Sequence, residues 1–280
     1  MTERPWPTPP ADLFDLTGKT ALVSGGCGLL GKTFCRALAT YGASVAILDL
    51  ARAEPVRAAS ELSEVSGVNT FGVACDVSLP EDVVSAVRQV EEELGVVDVL
   101  VNNAAAKPAD MGEWVRPAED FSLSVWREIM SVNMDGLFAL SRTVGNSMIK
   151  GERSGSIIHI SSVYGTIAPN PDIYKDSSYG LGGSINTPPV YSASKAGVVG
   201  LSRYLAAYWG HHGVRVNTIS PGGVADGQNA TFQKRYGERV PLGRMAEVEE
   251  LCGALIFLAS EASSYVTGQN LLVDGGLSIW

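Results

Sequence analysis

The chain has 280 residues, is 45% hydrophobic and carries a formal net charge of −9. That acidic balance argues against a general affinity for nucleic acid or an anionic membrane surface, and the apolar content suffices for one large core. Cys27, Cys35, Cys75 and Cys252 form no CxxC pair and the three histidines have no ligand spacing, which argues against a disulfide scaffold and a metal site.

Residues 1–11 contain four prolines and no apolar stretch. They read as a flexible arm rather than a signal peptide, and the protein is expected in the cytoplasm. The first strand is predicted at 20–24, "TALVS", and runs into "GGCG". A helix follows from about Leu29 to Tyr41. Further strands are predicted at 44–49, 69–76, 97–103, 155–162, 214–220 and 269–274, with helical patterns such as 80–94 and 247–260 between most of them. Near-continuous apolar strands alternating with helices predict a parallel sheet covered on both faces. The predicted fold class is therefore α/β, a single doubly wound Rossmann-type domain of about seven strands spanning 12–280. The apolar run at 254–259 is far too short to cross a bilayer.

One segment breaks the alternation. Residues 163–189 are rich in Gly, Pro, Ser, Asn and Asp and too long for an ordinary connection, which marks a functional loop. The loop offers many hydroxyl and amide groups, among them Tyr164, Asn170, Asp172, Tyr174 and Ser177, and few apolar anchors. It reads as a substrate lid that is mobile until substrate docks. Residues 225–243 read as a second lid segment, where Lys234, Arg235 and Arg239 are candidates to hold a phosphate or carboxylate.

The glycines Gly25, Gly26, Gly28 and Gly31 lie between a predicted strand and a predicted helix. In that context main-chain N–H groups and the positive helix end face the turn, and a pyrophosphate fits there. Asp49 ends the second predicted strand, 18 positions beyond Gly31, where a carboxylate can accept from both adenosine ribose hydroxyls. It would repel a 2′-phosphate, so NAD is expected in preference to NADP, although Arg52 lies nearby. In "YSASK", Tyr191 and Lys195 stand four apart and share one helix face. A cation beside a phenol favours the phenolate, which can exchange a proton with an alcohol or carbonyl.

With these go "CDV" at 75–77, "NNAA" at 102–105, Asn133 in "SVNMDG", "ISS" at 160–162, "SPGGV" at 220–224 and "TGQNLLVDGG" near the end. On these motifs the chain resembles the short-chain dehydrogenase/reductase family from about Leu16 to Trp280. The resemblance implies Tyr191 as acid/base, Lys195 as the residue that binds the nicotinamide ribose and tunes Tyr191, Ser162 as the group that steadies the substrate oxygen, and Asn133 as the holder of a relay water. It implies that Asp76 and Val77 meet the adenine, that Asn103 lines the cofactor cleft and that Val224 contacts the carboxamide. Gly25, Gly28, Leu30, Gly31, Asp49, Ala104, Pro221 and Gly222 complete the expected cofactor set.

The departures are informative. The glycine turn has the spacing TGxxGxxG, with Ser24 for Thr, which resembles the larger, sugar-nucleotide-modifying branch. Ala105 replaces the glycine of NNAG, and Asp226 stands where many members carry a cofactor-holding Thr. Ser162 and Tyr191 are 29 positions apart, more than in most compact members.

The expected function is NAD-dependent hydride transfer with a secondary alcohol or ketone of a polar, sugar- or polyol-like substrate. An apolar ketone substrate is the runner-up, and a catalytically idle dinucleotide-sensing subunit is the alternative of a different class. The helix from Val190 to Gly210 is small or apolar around most of its circumference and needs cover on more than one side. Compact members resemble this, so a homotetramer is expected, with a dimer as fallback.

Overall fold

The computed structural model describes residues 10–108, 110–174 and 187–280. Positions 1–9 of the expected arm, and 175–186 of the expected lid, lie outside the described residues.

In chain order the elements are β1 (Thr20–Ser24), α1 (Leu29–Thr40), β2 (Ser44–Asp49), α2 (Pro55–Ser66), β3 (Thr70–Ala74), α3 (Pro80–Leu94) and β4 (Val99–Asn102). There follow α4 (Met111–Trp114), α5 (Leu123–Met130), a π turn (Ser131–Gly136), α6 (Leu137–Lys150) and β5 (Gly155–Ile160). The chain ends with α7 (Pro189–Trp209), β6 (Val214–Pro221), α8 (Ala230–Gly237), α9 (Cys252–Ala259) and β7 (Asn270–Val273). All seven strands are parallel, in the order β3-β2-β1-β4-β5-β6-β7.

Strand period two divides the apolar residues between two cores. Ala21 and Val23 of β1, Val45 and Ile47 of β2, and Val99 and Val101 of β4 face the layer of α1 and α9, where Phe34, Leu38, Leu255 and Ile256 meet them. Leu22, Ala46, Leu48 and Leu100 face the opposite way, against Val83 and Val87 of α3, Leu140 and Val144 of α6, and Leu205 and Trp209 of α7. Both faces are covered, which is why the strands read as continuous apolar runs.

The strand order reverses between β1 and β4, and in open α/β sheets a crevice opens at that point beyond the strand ends. Ser24 and Asn102 are register partners at its floor. The Ser24 hydroxyl accepts from the amides of Asn103 at 3.1 Å and Ala104 at 3.2 Å, which fixes the chain as it leaves β4.

A third, smaller core lies beyond the strand ends. Val163, Ile173 and Tyr174 pack there with Phe232 and Tyr236 of α8, and with Val240, Met245 and Leu277. The expectation of few apolar anchors in 163–189 is corrected here. Its described part forms two short 3-10 turns, Val163–Gly165 and Pro171–Tyr174, with Val163, Ile173 and Tyr174 buried. Among the described residues no helix is long and apolar enough to cross a membrane.

Candidate active site

The turn after β1 is built on close backbone approach. Gly25 has φ +63°, and a Cβ on it would lie 2.9 Å from the Ala104 Cα. A Cβ on Gly31 would lie 2.1 Å from the Gly25 carbonyl oxygen, so any side chain there would force α1 off the turn. Gly31 thus acts by packing and does not line the cleft, whereas Gly25, Gly28 and Leu30 do. Gly28 is the N-cap of α1 and no side chain caps that end. The first-turn N–H groups of a helix have no intrahelical partner, so this end is an anion cradle.

Asp49 ends β2 and faces the turn. Its Oδ2 accepts from the Cys27 amide at 2.9 Å and its Oδ1 from the Leu50 amide at 2.8 Å. A carboxylate has about four lone-pair sites, so acceptor capacity remains for a ribose. Arg52 lines the same end of the cleft. Further along, Asp76 and Val77 line the wall after β3, where Asp76 Oδ1 also accepts from the amide and hydroxyl of Ser78 at 3.0 and 2.7 Å. Asn103 and Ala104 line the floor, and Asn103 Nδ2 donates to the carbonyls of Ser24 and Gly25 at 3.2 and 3.0 Å. Pro221, Gly222 and Val224 close the far side after β6. Asp226 lines it too, with its amide bonded to Gln228 Oε1 at 2.7 Å.

Ser162 follows β5 directly, and Tyr191 and Lys195 lie in the first two turns of α7. The Ser162 side chain lies beside the Tyr191 phenol; burial holds that phenol above its ordinary range, and the neighbouring Ser162 hydroxyl opposes the shift. Lys195 is 5% exposed. Its ammonium donates to the Ile160 carbonyl at 2.8 Å and lies 6.0 Å from the Tyr191 ring centre. Burial pulls its pKa from the ordinary 10.5 down to about 8. An ammonium has three donors, and among the described residues the Lys195 ammonium has no acceptor besides the Ile160 carbonyl.

Asn133 sits in the π turn, buried, and does not line the cleft. Its Oδ1 accepts from the Ala106 amide at 2.9 Å and its Nδ2 donates to Ser194 Oγ at 3.2 Å. It therefore ties α7 to the chain leaving β4. π turns of this kind recur at functional sites.

One cleft of about 1140 Å³ joins all these ends, from the glycine turn to Tyr191. Part of its wall was not legible in the sequence. The Trp114 ring meets Tyr191 edge-on at 5.8 Å, and Thr187, Phe232, Tyr236 and Met245 also line the cleft. None of these carries a local signal. Trp114 comes from a four-residue helix, Phe232, Tyr236 and Met245 become neighbours only through the third core, and Thr187 joins them by its hydrogen bond to Tyr174. Lys234, Arg235 and Arg239 do not line the cleft.

A family model described as Enoyl-(Acyl carrier protein) reductase matches residues 29–278. Gluconate 5-dehydrogenase of Gluconobacter oxydans is 34% identical over 274 residues, covering 96% of this chain and 98% of that protein. D-threitol dehydrogenase of Mycolicibacterium smegmatis is 35% identical over 274 residues, covering 95% of each. The crystal structure of a gluconate 5-dehydrogenase from Burkholderia cenocepacia, in complex with NADP and tartrate, superposes with a TM-score of 0.84 at 32% identity, covering 96% of this chain and 98% of that one.

The depressed pKa of Lys195 has a consequence for stability. Below about pH 8 the folded protein holds a buried ammonium at a cost. Between about 8 and 10.5 the folded state releases that proton while the unfolded chain keeps it, so stability rises with pH. Urea unfolding of wild type and Lys195→Met at about pH 7 and about pH 10 should show wild type gaining relative to the variant. Parallel curves would place the lysine in contact with solvent.

Proposed function

The chain belongs to the short-chain dehydrogenase/reductase family, and on that premise we propose that it is an NAD-preferring enzyme that moves hydride between nicotinamide and a secondary alcohol or ketone carbon of a sugar- or polyol-like substrate. The observation that carries this reading is one cleft with an uncapped helix N-terminus at one end and Ser162, Tyr191 and buried Lys195 together at the other.

The uncapped N-terminus of α1 and the glycines of the turn would hold the pyrophosphate, and Asp49 the adenosine ribose. Asp76 and Val77 would flank the adenine, and Val224 the carboxamide. The free donors of Lys195 would take the nicotinamide ribose. When bound, the nicotinamide supplies the acceptor or donor of hydride. In oxidation Tyr191 Oη, as phenolate, takes the substrate hydroxyl proton, and the Ser162 hydroxyl donates to the substrate oxygen. In reduction Tyr191 returns that proton. The Lys195 charge works against the burial that keeps the Tyr191 phenol neutral. The resemblance gives Asn133 a relay water; its side chain braces the wall, so we assign that water to the main chain at the π turn.

The substrate half of the cleft is bordered by the described ends of 163–189 and by 225–243, which we assign as the substrate-binding segments. The names of the relatives, gluconate 5-dehydrogenase and D-threitol dehydrogenase, support a polyhydroxylated substrate. Trp114, Phe232 and Met245 favour a second reading, an apolar ketone, and activity on a panel of sugars, polyols and ketones separates the two. All four cysteines are free thiols, which supports the cytoplasm as its compartment.

We also assign the open face of α7, where Ala193, Ala196, Gly200, Tyr204, Ala207 and Tyr208 are exposed, to contact with a second copy in a homotetramer. The rings of Tyr204 and Tyr208 stack there at 5.8 Å. Light scattering should give about four chain masses; a stable monomer at micromolar concentration excludes the assembly.

Binding titrations should give NAD at least about tenfold tighter than NADP, roughly 1.4 kcal/mol, because a 2′-phosphate would face the Asp49 carboxylate. Equal affinities would mean that Arg52 governs the pocket, in line with the NADP-bound Burkholderia enzyme. Tyr191→Phe should keep NAD binding and lose turnover by about 10²–10⁴-fold, the usual weight of general acid–base catalysis. Wild-type turnover in that variant, read at the absorbance of reduced nicotinamide, would remove Tyr191 from the proton transfer.

A further inference from the structure

Three hydroxyl groups, of Tyr164, Tyr174 and Thr187, stand along the wall beside Ser162 and Tyr191. The Tyr174 hydroxyl lies 2.7 Å from Thr187 Oγ1. All three residues line the cleft. Tyr174 is 8% exposed, and its ring is held against Phe232 at 5.6 Å and 33°. Phe232 in turn lies 5.9 Å from Tyr236. The Tyr174 phenol is therefore fixed in place, in the same cleft wall as Tyr191.

Counting protons shows what the chain can do. Each hydroxyl has one donor proton and two lone pairs. The bond between Tyr174 and Thr187 uses the proton of one of them. Whichever way it runs, the other hydroxyl keeps a proton with no acceptor among the described residues, and Thr187 keeps a lone pair. A pair of rigid, adjacent hydroxyls with one free donor and one free acceptor matches a substrate hydroxyl. It has no counterpart on an alkyl chain.

We propose that Tyr174 and Thr187 read a second hydroxyl of the substrate, on the carbon next to the reacting one, so that this site selects vicinal diols and α-hydroxy ketones. The inference deepens the function proposed above and rests on it. It also gives the segment between Ser162 and Tyr191 a role independent of whether that segment moves.

The test uses the full-length enzyme with NADH and two ketones that differ by one hydroxyl, acetoin and butanone, with erythrulose as the polyhydroxylated member. Wild type should prefer acetoin over butanone in kcat/KM by at least about tenfold, the effect of one well-placed hydrogen bond. Tyr174→Phe and Thr187→Val should each lower that preference by about tenfold, and the double variant should lower it no further than about the larger single effect, since the two groups act as one unit. NADH affinity of each variant checks that the fold is kept. Reduction of butanone as efficient as that of acetoin in wild type, or variants that keep the preference, would overturn the inference and leave the proposed function standing. No reduction of any of the three would overturn both.

Discussion

Lys195 places a charge inside the protein and gives it, among the described residues, a single acceptor, the carbonyl of Ile160. A buried ammonium is tolerated when its donors are used, and here one of three is. That bond pins the second turn of α7 to the end of β5. The same helix presents Tyr191 one turn earlier, and the same strand runs on into Ser162. The pairing of phenol and hydroxyl is thus fixed by an interaction that involves neither of them. The two remaining donors make the site incomplete as protein alone, and a dihydroxylated ring such as a ribose would complete it.

The other end of the cleft rests on a different constraint, close packing without side chains. Gly31 lets α1 sit against Gly25, and Gly25 lets the turn sit against Ala104. Asp49 and Ser24 then use carboxylate and hydroxyl to hold the turn and the chain leaving β4. Asn133 bridges from that same exit to α7. The two halves of the cleft are thereby joined through β4 rather than through any residue that touches both. Deeper in the sheet a polar line crosses the apolar core. His159 of β5, driven to a pKa of about 3 by burial and so neutral, bonds Ser141 of α6 at 3.0 Å and Ser202 of α7 at 2.7 Å. Asn102 and Thr218 extend the line to β4 and β6. These bonds orient both helices that frame the site.

The strands were legible in the sequence because both faces are buried, so periodicity and composition agreed. β1, β2 and the turn to α1 stand where the reading put them. The third strand stops at Ala74 rather than 76, since Asp76 turns to hold Ser78 instead of continuing the ladder. The Tyr191 and Lys195 pair was legible because four-residue spacing on a helix is a local property. Trp114, Thr187 and Tyr236 were not. Their places depend on contacts far apart in the chain, and a short irregular segment has no period to betray them. The same reason hid the anchoring of Ile173 and Tyr174, which look like loop residues until α8 arrives to cover them. Asn133 was legible as a motif but not as a brace, because its partners Ala106 and Ser194 are 27 and 61 positions away.

The third core has one further consequence. Tyr174, Phe232 and Tyr236 form a continuous row of rings, and Tyr236 also takes the amide proton of Gly223 on the cofactor side. A stretch of chain on one side of the mouth and a helix on the other are thus glued into a single body, with a hydrogen bond reaching to the chain that leaves β6. Elements welded in this way loosen together or not at all. Such a wall makes the mouth of the cleft one packed body rather than two independent flaps.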